Sequence, residues 1–164
     1  MGSDSESESF RLLFVCSGNT CRSPLAAALA ERELARLGWR VGVRSAGVSA
    51  AQGAPASQGS LRVAARNGLD LSGHLSCPVG SDLLGWADLI LVMSPGHLFP
   101  LAEMGVMGKA AVLDAFAKGG DGTGEAAEVP DPFGGDDRSY EETYQTLEDL
   151  VDKALHQLEL QLAP

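Results

Sequence analysis

Short apolar runs alternate along the chain with stretches of helical periodicity, and this alternation restricts the fold more than any other feature. The predicted strands are "FRLLFVC", "WRVGVRSAG", "ADLILVM" and "KAAVLD". The continuous apolar run "ADLILVM" is typical of a central strand that is buried on both faces. Strands separated by helices require right-handed βαβ crossovers, which make the sheet parallel. The pattern therefore predicts an α/β fold with helices on both faces of a parallel sheet.

The predicted helices have identifiable ends. "PLAAALAERELARLG" has one apolar face and ends at Gly38, while "SQGSLRVAARNG" ends at an Asn-Gly pair. Further helices are predicted in "GSDLLGWA" and, over a short stretch, from Ser94. In the final helix, Ser139 and Glu142 have the spacing of a capping box, and apolar residues then repeat every three or four positions.

Charge and length define one domain and a tail. The 164 residues suffice for one well-buried core. "MGSDSESES" is acidic and patternless, so we expect residues 1–9 to be a disordered tail and residues 10–162 to be a single domain. The net charge of −10 lies in the last quarter: residues 121–164 carry twelve acidic and two basic side chains, whereas residues 1–120 carry ten of each.

Several classes of function are disfavoured. The negative charge argues against binding to nucleic acid. No apolar run reaches the roughly 18 residues that a membrane span needs, and no leader resembles a signal peptide. Three cysteines cannot form a full disulfide framework, so we expect a reducing cytoplasm. Their spacing does not suit zinc, and we expect no metal and no cofactor.

The segment "CSGNTCRSP" lies where ligands bind in such sheets, at the carboxyl end of the first strand. Ser23 followed by Pro24 signals the start of a helix. Between strand and helix the chain must turn sharply, and Gly18 and Asn19 tolerate left-handed backbone angles. Such a loop directs successive N–H groups inward, where they can bind an anion. Arg22 adds a planar fork that can grip two phosphate oxygens.

Cys16 would lie at the bottom of this anion cradle. A helix N-terminus and a nearby cation stabilise a thiolate, and a thiolate beneath a bound phosphate is a nucleophile aimed at phosphorus. The alternative is a small buried cysteine without a chemical role. A phosphocysteine intermediate also needs an acid and then a base, for which Asp131 in "EVPDPFGG" is the candidate. The alternative for Asp131 is a turn residue in an acidic region.

Three motifs in this order resemble the low-molecular-weight protein tyrosine phosphatase family: the segment from Cys16 to Pro24, Ser45-Ala46-Gly47, and Asp131-Pro132. The resemblance extends from Phe10 to Leu162. It implies a four-stranded parallel sheet flanked by helices and a metal-free two-step mechanism through phosphocysteine. We expect phosphorylated proteins as substrates and a monomeric enzyme.

The resemblance also assigns roles by position. Cys16 would be the nucleophile, Arg22 the phosphate clamp and Asp131 the general acid and then the base. Ser23 would donate to the thiolate, while Asn19 and Ser45 would brace the loop. The phosphate would be bound by the whole loop, which comprises Ser17, Gly18, Asn19, Thr20, Cys21, Arg22 and Ser23.

Thr20 departs from the tyrosine-directed members, which usually carry a bulky apolar residue at this position. Together with Asp-Pro-Phe-Gly-Gly at 131–135, it resembles the bacterial protein-arginine phosphatase branch. The Thr20 hydroxyl and the Asp131 carboxylate could accept hydrogen bonds from a guanidinium, and Phe133 followed by two glycines leaves an open mouth. We therefore expect phosphoarginine to be preferred, with phosphotyrosine as the alternative and Thr20 then a packing residue.

Two weaker functions remain open. Thioredoxin-coupled arsenate reductases share the fold but need two further cysteines, and only Cys77 lies outside the loop, where we expect a structural role. A non-catalytic phosphoprotein-binding module would not need Asp131. The resemblance also implies that Cys21 can trap oxidised Cys16 as a reversible disulfide, with loop packing as the alternative. His74, His97 and His156 are expected at the surface or satisfied at helix ends.

Overall fold

The computed structural model describes residues 10–119 and 126–162, so the predicted tail and part of the Gly-rich loop at 118–124 lie outside the described residues. The strands are β1 (Phe10–Cys16), β2 (Val41–Gly47), β3 (Leu89–Val92) and β4 (Ala110–Val112). They form one sheet in the order β2-β1-β3-β4, and every pairing is parallel. The four-stranded parallel sheet is thus confirmed.

The helices follow the strands in the predicted alternation. They are α1 (Arg22–Leu37), α2 (Gln58–Arg66), α3 (Ser81–Trp86), α4 (Leu98–Glu103), α5 (Leu113–Ala117) and α6 (Asp137–Leu162), with single 3₁₀ turns at Pro95–His97 and Met107–Lys109. The sequence pattern did not predict α5: its first two residues were assigned to the last strand, and its other three were assigned to no element.

Side chains of β1 alternate between two apolar cores, because successive residues of a strand point to opposite faces. Leu12 and Phe14 are fully buried in a core that also contains apolar residues of α1, α2 and α6. Leu13 and Val15 are fully buried in a second core, which includes residues of α3 and α4. Helices therefore cover both faces, as predicted.

Two predicted helix starts are wrong by a few residues. α1 begins at Arg22 with Cys21 at the cap position, so Ser23 lies within the first turn and its hydroxyl is free for contacts elsewhere. α6 begins at Asp137, and the Asp136 carboxylate accepts hydrogen bonds from the backbone N–H and the hydroxyl of Ser139. A carboxylate three residues before an N–H is itself a good N-cap acceptor, and it replaces the predicted Ser139 capping box.

The strand order places one loop at the position where α/β sheets bind ligands. β1 lies between β2 on one side and β3 on the other, so the connections diverge at its carboxyl end. Such a divergence opens a crevice beyond the strand. The segment that joins β1 to α1, residues 17–21, occupies this crevice.

Candidate active site

The loop at 17–21 turns through one left-handed residue. Asn19 has a φ of 57° and is the only non-glycine residue with positive φ among residues 10–119 and 126–162. Gly18, which was expected to share this role, does not have a positive φ. Asparagine tolerates this conformation better than most residues because its short side chain can hydrogen-bond locally.

The Asn19 side chain uses its hydrogen-bonding groups to hold the loop. Its amide nitrogen donates to the hydroxyls of Ser23, at 2.8 Å, and Ser45, at 2.9 Å. Its amide oxygen accepts from the backbone N–H of Cys77 at 2.9 Å. A fully buried amide that is satisfied in this way fixes the loop against α1, β2 and the segment before α3.

Gly47 lets the loop lie directly against the end of β2. A Cβ atom at this position would overlap the carbonyl oxygen of Ser17 and lie 3.0 Å from the backbone nitrogen of Asn19. The backbone N–H groups of Val48 and Ser49 donate to the carbonyls of Cys16 and Ser17, both at 2.9 Å. Sequence reasoning singled out this glycine as part of a motif but missed its steric role, since a close approach of two segments is visible only in the folded chain.

Cys16 is 2% exposed, and two donors point at its sulfur. Its Sγ lies 2.9 Å from the Ser23 hydroxyl and 3.3 Å from the backbone N–H of Asn19. The Ser23 oxygen accepts from Asn19, and its one hydrogen can go either to the sulfur at 2.9 Å or to the carbonyl of Ala46 at 3.4 Å. A thiolate is the nearer acceptor and carries the charge, so it attracts this hydrogen more strongly than the carbonyl does. Donors directed at sulfur stabilise its anionic form, which is the nucleophilic one.

Arg22 brings a buried cation to the same loop. Its side chain is 3% exposed, and Nη1 donates to the carbonyl of Val129 at 3.0 Å. Nη1 also lies 3.7 Å from the Glu128 carboxylate, and Nη2 lies 3.6 Å from the Asp131 carboxylate. A buried charge is tolerated when it is paired and hydrogen-bonded, and these contacts meet that condition.

Asp131 and Cys16 share a cavity of about 370 Å³. Asp131 is 47% exposed, and its Oδ1 accepts from the backbone N–H of Phe133 at 3.1 Å. The cavity is lined by Cys16, Ser17, Gly18, Thr20, Cys21, Arg22, Ser49, Ala51, Ala54, Ser76, Asp131 and Phe133. A larger cavity of about 560 Å³ lies behind the loop beside Ser45 and His74, but it contains neither the thiol nor the guanidinium.

The second loop cysteine, Cys21, faces hydroxyl groups. Its Sγ lies 3.2 Å from the Ser57 hydroxyl and 3.6 Å from the Tyr140 hydroxyl. Burial raises the pKa of Tyr140, so the phenol stays protonated beside the thiol. The redox role that the family resemblance implies for Cys21 stays a prediction.

Two histidines contact the loop, although sequence reasoning assigned neither to the site. His74 Nε2 lies 2.7 Å from the carbonyl oxygen of Asn19. His97 is satisfied at the end of a short helix, as predicted, but its Nε2 also lies 2.9 Å from the Ser17 hydroxyl. His156 is exposed, as expected. The position of His97 just after β3 could have placed it near the loop, because the carboxyl ends of parallel strands lie at the same edge of the sheet.

The His97 ring is neutral over the physiological range. The pKa of His97 is lowered to about 4, mainly by burial and also by the nearby Arg22 guanidinium, while Asp131 acts in the opposite direction. A second cation beside buried Arg22 would be unfavourable, so the site holds an uncharged imidazole.

Within residues 10–119 and 126–162, no cluster of three or more His, Cys, Asp or Glu side chains is arranged to hold a metal ion. Among the helices that the structure describes, none has the length and apolar character that crossing a membrane requires.

Comparison with known proteins gives a consistent result. The family model described as "Low molecular weight phosphotyrosine protein phosphatase" matches residues 11–163. A protein-arginine-phosphatase of Geobacillus stearothermophilus is 37% identical over 92% of this chain and 97% of its own length. The low molecular weight protein-tyrosine-phosphatase PtpB of Staphylococcus epidermidis is 35% identical over 87% of this chain and 95% of its own.

A solved structure of a family member is also similar to this chain in its fold. It is the YwlE arginine phosphatase in a cysteine-to-serine mutant whose active-site serine is phosphorylated. That structure superposes with a TM-score of 0.83 at 33% identity, and it covers 93% of this chain and 97% of its own.

We predict that Gly47→Ala disrupts the loop. The added methyl would displace the backbone at Ser17 and Asn19, and a misplacement of about 1 Å can cost on the order of 100-fold in rate. The measurement is kcat/KM on a generic aryl phosphate. Gly85→Ala is the control, since a Cβ there meets nothing within 4 Å. Equal activity of the two variants would contradict this role of Gly47.

We also predict an acid-dependent loss of stability that depends on His97. Its pKa is about 4 in the folded protein and near 6.5 when unfolded, so the unfolded state binds more protons between these values. The free energy of unfolding should therefore fall as the pH falls from 6.5 toward 4. Urea titrations at pH 7 and pH 5 measure this loss, which should be smaller in His97→Asn. An equal loss in both proteins would show that His97 titrates normally.

Proposed function

Because the chain belongs to the low molecular weight phosphotyrosine protein phosphatase family, we propose that it removes the phosphoryl group from phosphoarginine in proteins, with Cys16 as the nucleophile. The chain is a cysteine-dependent protein phosphatase. The observation that carries the assignment of residues is the single cavity that contains the Cys16 thiol, the Arg22 guanidinium and the Asp131 carboxyl.

In the first step, the Cys16 thiolate attacks phosphorus. The S–P bond forms while the P–N bond to the substrate guanidinium breaks, and Asp131 gives its proton to the departing nitrogen. The loop N–H groups and the Arg22 fork hold the phosphoryl oxygens. Because these donors are fixed before the reaction, they stabilise the transition-state charge without reorganisation.

In the second step, water hydrolyses the phosphocysteine. Asp131, now a carboxylate, takes a proton from the water as its oxygen attacks phosphorus. The S–P bond breaks, and its electron pair returns to Cys16 as thiolate. Inorganic phosphate leaves, and the hydrogen bond from the Ser23 hydroxyl, 2.9 Å from the sulfur, supports the thiolate as a leaving group.

The cavity walls carry few large apolar side chains. Thr20 and Ser49 contribute hydroxyl groups, the Ser76 hydroxyl is already bonded to the backbone of Ala51 and Ala54, and Phe133 is the only aromatic side chain of the lining among the described residues. A phenol ring is bound best between apolar or aromatic walls, whereas a guanidinium needs hydrogen-bond acceptors. The Thr20 hydroxyl and the unprotonated oxygen of the Asp131 carboxyl can supply such acceptors, and this supports phosphoarginine.

Phosphotyrosine is the second candidate. The Phe133 ring is 72% exposed at the cavity, where it could stack on a phenol. The same ring can stack on a planar guanidinium, so it does not separate the two substrates by itself. The PtpB relative is named a tyrosine phosphatase, which keeps this candidate open.

We place the reaction in the cytoplasm, with phosphorylated proteins as substrates and the chain acting as a monomer. The nucleophile works only while it is reduced, and Cys16, Cys21 and Cys77 are all free thiols. The cavity residues all come from one chain, so a monomer can carry out both steps. Size-exclusion chromatography with light scattering tests the oligomeric state.

We predict that Asp131→Asn acts mainly on substrates with poor leaving groups. Without a proton donor, kcat/KM, which reports the step in which the leaving group departs, should fall by about 100-fold on a phosphoarginine peptide, and by less on an activated aryl phosphate whose phenolate leaves unaided. Stopped-flow and steady-state assays of both substrates measure the difference. Equal losses on the two substrates would show that Asp131 is not the general acid.

We predict that Thr20 sets the substrate preference. The wild type should have the higher kcat/KM on a phosphoarginine peptide than on a phosphotyrosine peptide of matched sequence, with Cys16→Ser as the blank. Thr20→Val removes only the hydroxyl and should lower arginine activity, while Thr20→Ile should also raise tyrosine activity by adding an apolar wall.

The two parts of the proposal fail in different ways. If the Cys16→Ser variant kept its activity, Cys16 could not be the nucleophile. A preference for tyrosine that neither Thr20 variant changes would leave the mechanism but make the protein a tyrosine phosphatase.

A further inference from the structure

A polar contact that the mechanism above does not use runs from the end of β3 to the Arg22 fork. His97 is 6% exposed and lies behind the loop. Its Nε2 lies 2.9 Å from the Ser17 hydroxyl, and the same hydroxyl lies 3.5 Å from Arg22 Nη2. Ser17 thus connects a buried imidazole to the guanidinium that would bind the phosphoryl group.

The proton on His97 can be assigned from its other contact. His97 Nδ1 accepts the backbone N–H of Ser94 at 3.2 Å, and a backbone nitrogen can only donate. A neutral imidazole that accepts at Nδ1 carries its hydrogen on Nε2. Nε2–H therefore donates to Ser17, whose oxygen also accepts from Arg22, and the hydroxyl hydrogen of Ser17 is left to point elsewhere.

We propose that His97 is a positioning residue that, through the Ser17 hydroxyl, holds Nη2 of Arg22 in its phosphate-binding orientation. This inference rests on the proposed function, because it concerns the same guanidinium. Ser17 itself faces the cavity, where its own hydrogen can be donated to a bound phosphoryl oxygen.

The two ends of the Arg22 fork are held differently. Nη1 donates to the backbone carbonyl of Val129 at 3.0 Å, an acceptor that does not titrate. Nη2 faces the Asp131 carboxyl at 3.6 Å, which is half-exposed and alternates between acid and carboxylate in the proposed mechanism. When Asp131 is protonated, its attraction for the cation is lost. Ser17 is then the contact that keeps Nη2 in place, and His97 fixes Ser17.

Two variants of His97 separate its two hydrogen bonds. In His97→Asn, the amide oxygen can still accept from the Ser94 N–H, but nothing reaches Ser17. In His97→Gln, the longer amide places a donor near the position of Nε2. On an aryl phosphate, we expect kcat/KM to fall about tenfold in His97→Asn and to stay within about threefold of wild type in His97→Gln. A role in packing alone would make the two losses similar, and that result would overturn the proposal.

A double-mutant cycle tests whether His97 acts through Ser17. Ser17→Ala should lower kcat/KM at least as much as His97→Asn, since it also removes a donor to the phosphoryl group, and adding His97→Asn to Ser17→Ala should cause no further loss. Losses that multiply would show that the two residues act independently and would overturn the proposal. Thermal unfolding of the four proteins identifies any part of the loss that is due to stability.

The same double-mutant cycle should be repeated with the affinity for vanadate, measured by calorimetry, as the readout. A wild type that binds vanadate but has no phosphatase activity would refute the proposed function, while non-additive losses of vanadate affinity would still support the role of His97. If the His97 variants do not fold, ¹⁵N spectra of the wild-type imidazole and of Ser17→Ala decide the question. A hydrogen on Nδ1, or no change of the Nε2 resonance in Ser17→Ala, would overturn the proposal.

Discussion

The site depends on one buried amide, that of Asn19. The loop can reverse direction between β1 and α1 only because this residue adopts a left-handed backbone conformation, which most side chains disfavour. The hydrogen bonds to Ser23, Ser45 and Cys77 offset this cost and tie the loop to three separate segments. The positions of the thiol and of the backbone N–H groups follow from this anchor, since they lie within the same few residues.

Electrostatics at the site centre on the buried Arg22 guanidinium. Its charge is balanced by Glu128 and Asp131, which lie in the segment before α6. The neighbouring imidazole of His97 is uncharged, because burial and the guanidinium both lower its pKa. A dianionic phosphoryl group would therefore bind to the Arg22 guanidinium, and no positive charge on His97 would repel that guanidinium from its position. The chemistry of the proposed mechanism needs this arrangement, because the clamp must stay fixed while Asp131 changes its charge.

In the proposed function, the wall of the cavity, rather than its base, would distinguish the candidate substrates. Cys16 and Arg22 would treat any phosphoryl group alike, since they contact only phosphorus and its oxygens. Thr20 and Phe133 also line the cavity, and in the proposed function they would contact the rest of the substrate. A single hydroxyl can decide between a guanidinium and a phenol when it lies in a partly enclosed space, because an unmatched polar group there lacks a partner.

Strand patterns and local motifs were enough to predict the parallel sheet, the position of the loop and the candidates Cys16, Arg22 and Asp131, because they are properties of neighbouring residues. The starts of α1 and α6 were predicted wrongly: Asp136 is as good a cap as Ser139, and α1 begins after Cys21 although its side chain makes no capping bond. Which distant groups meet the loop became visible only in the packed chain. The close approach at Gly47 and the contact of His97 with Ser17 join residues that are some 30 and 80 positions apart, and contacts between remote segments arise only when the chain is packed.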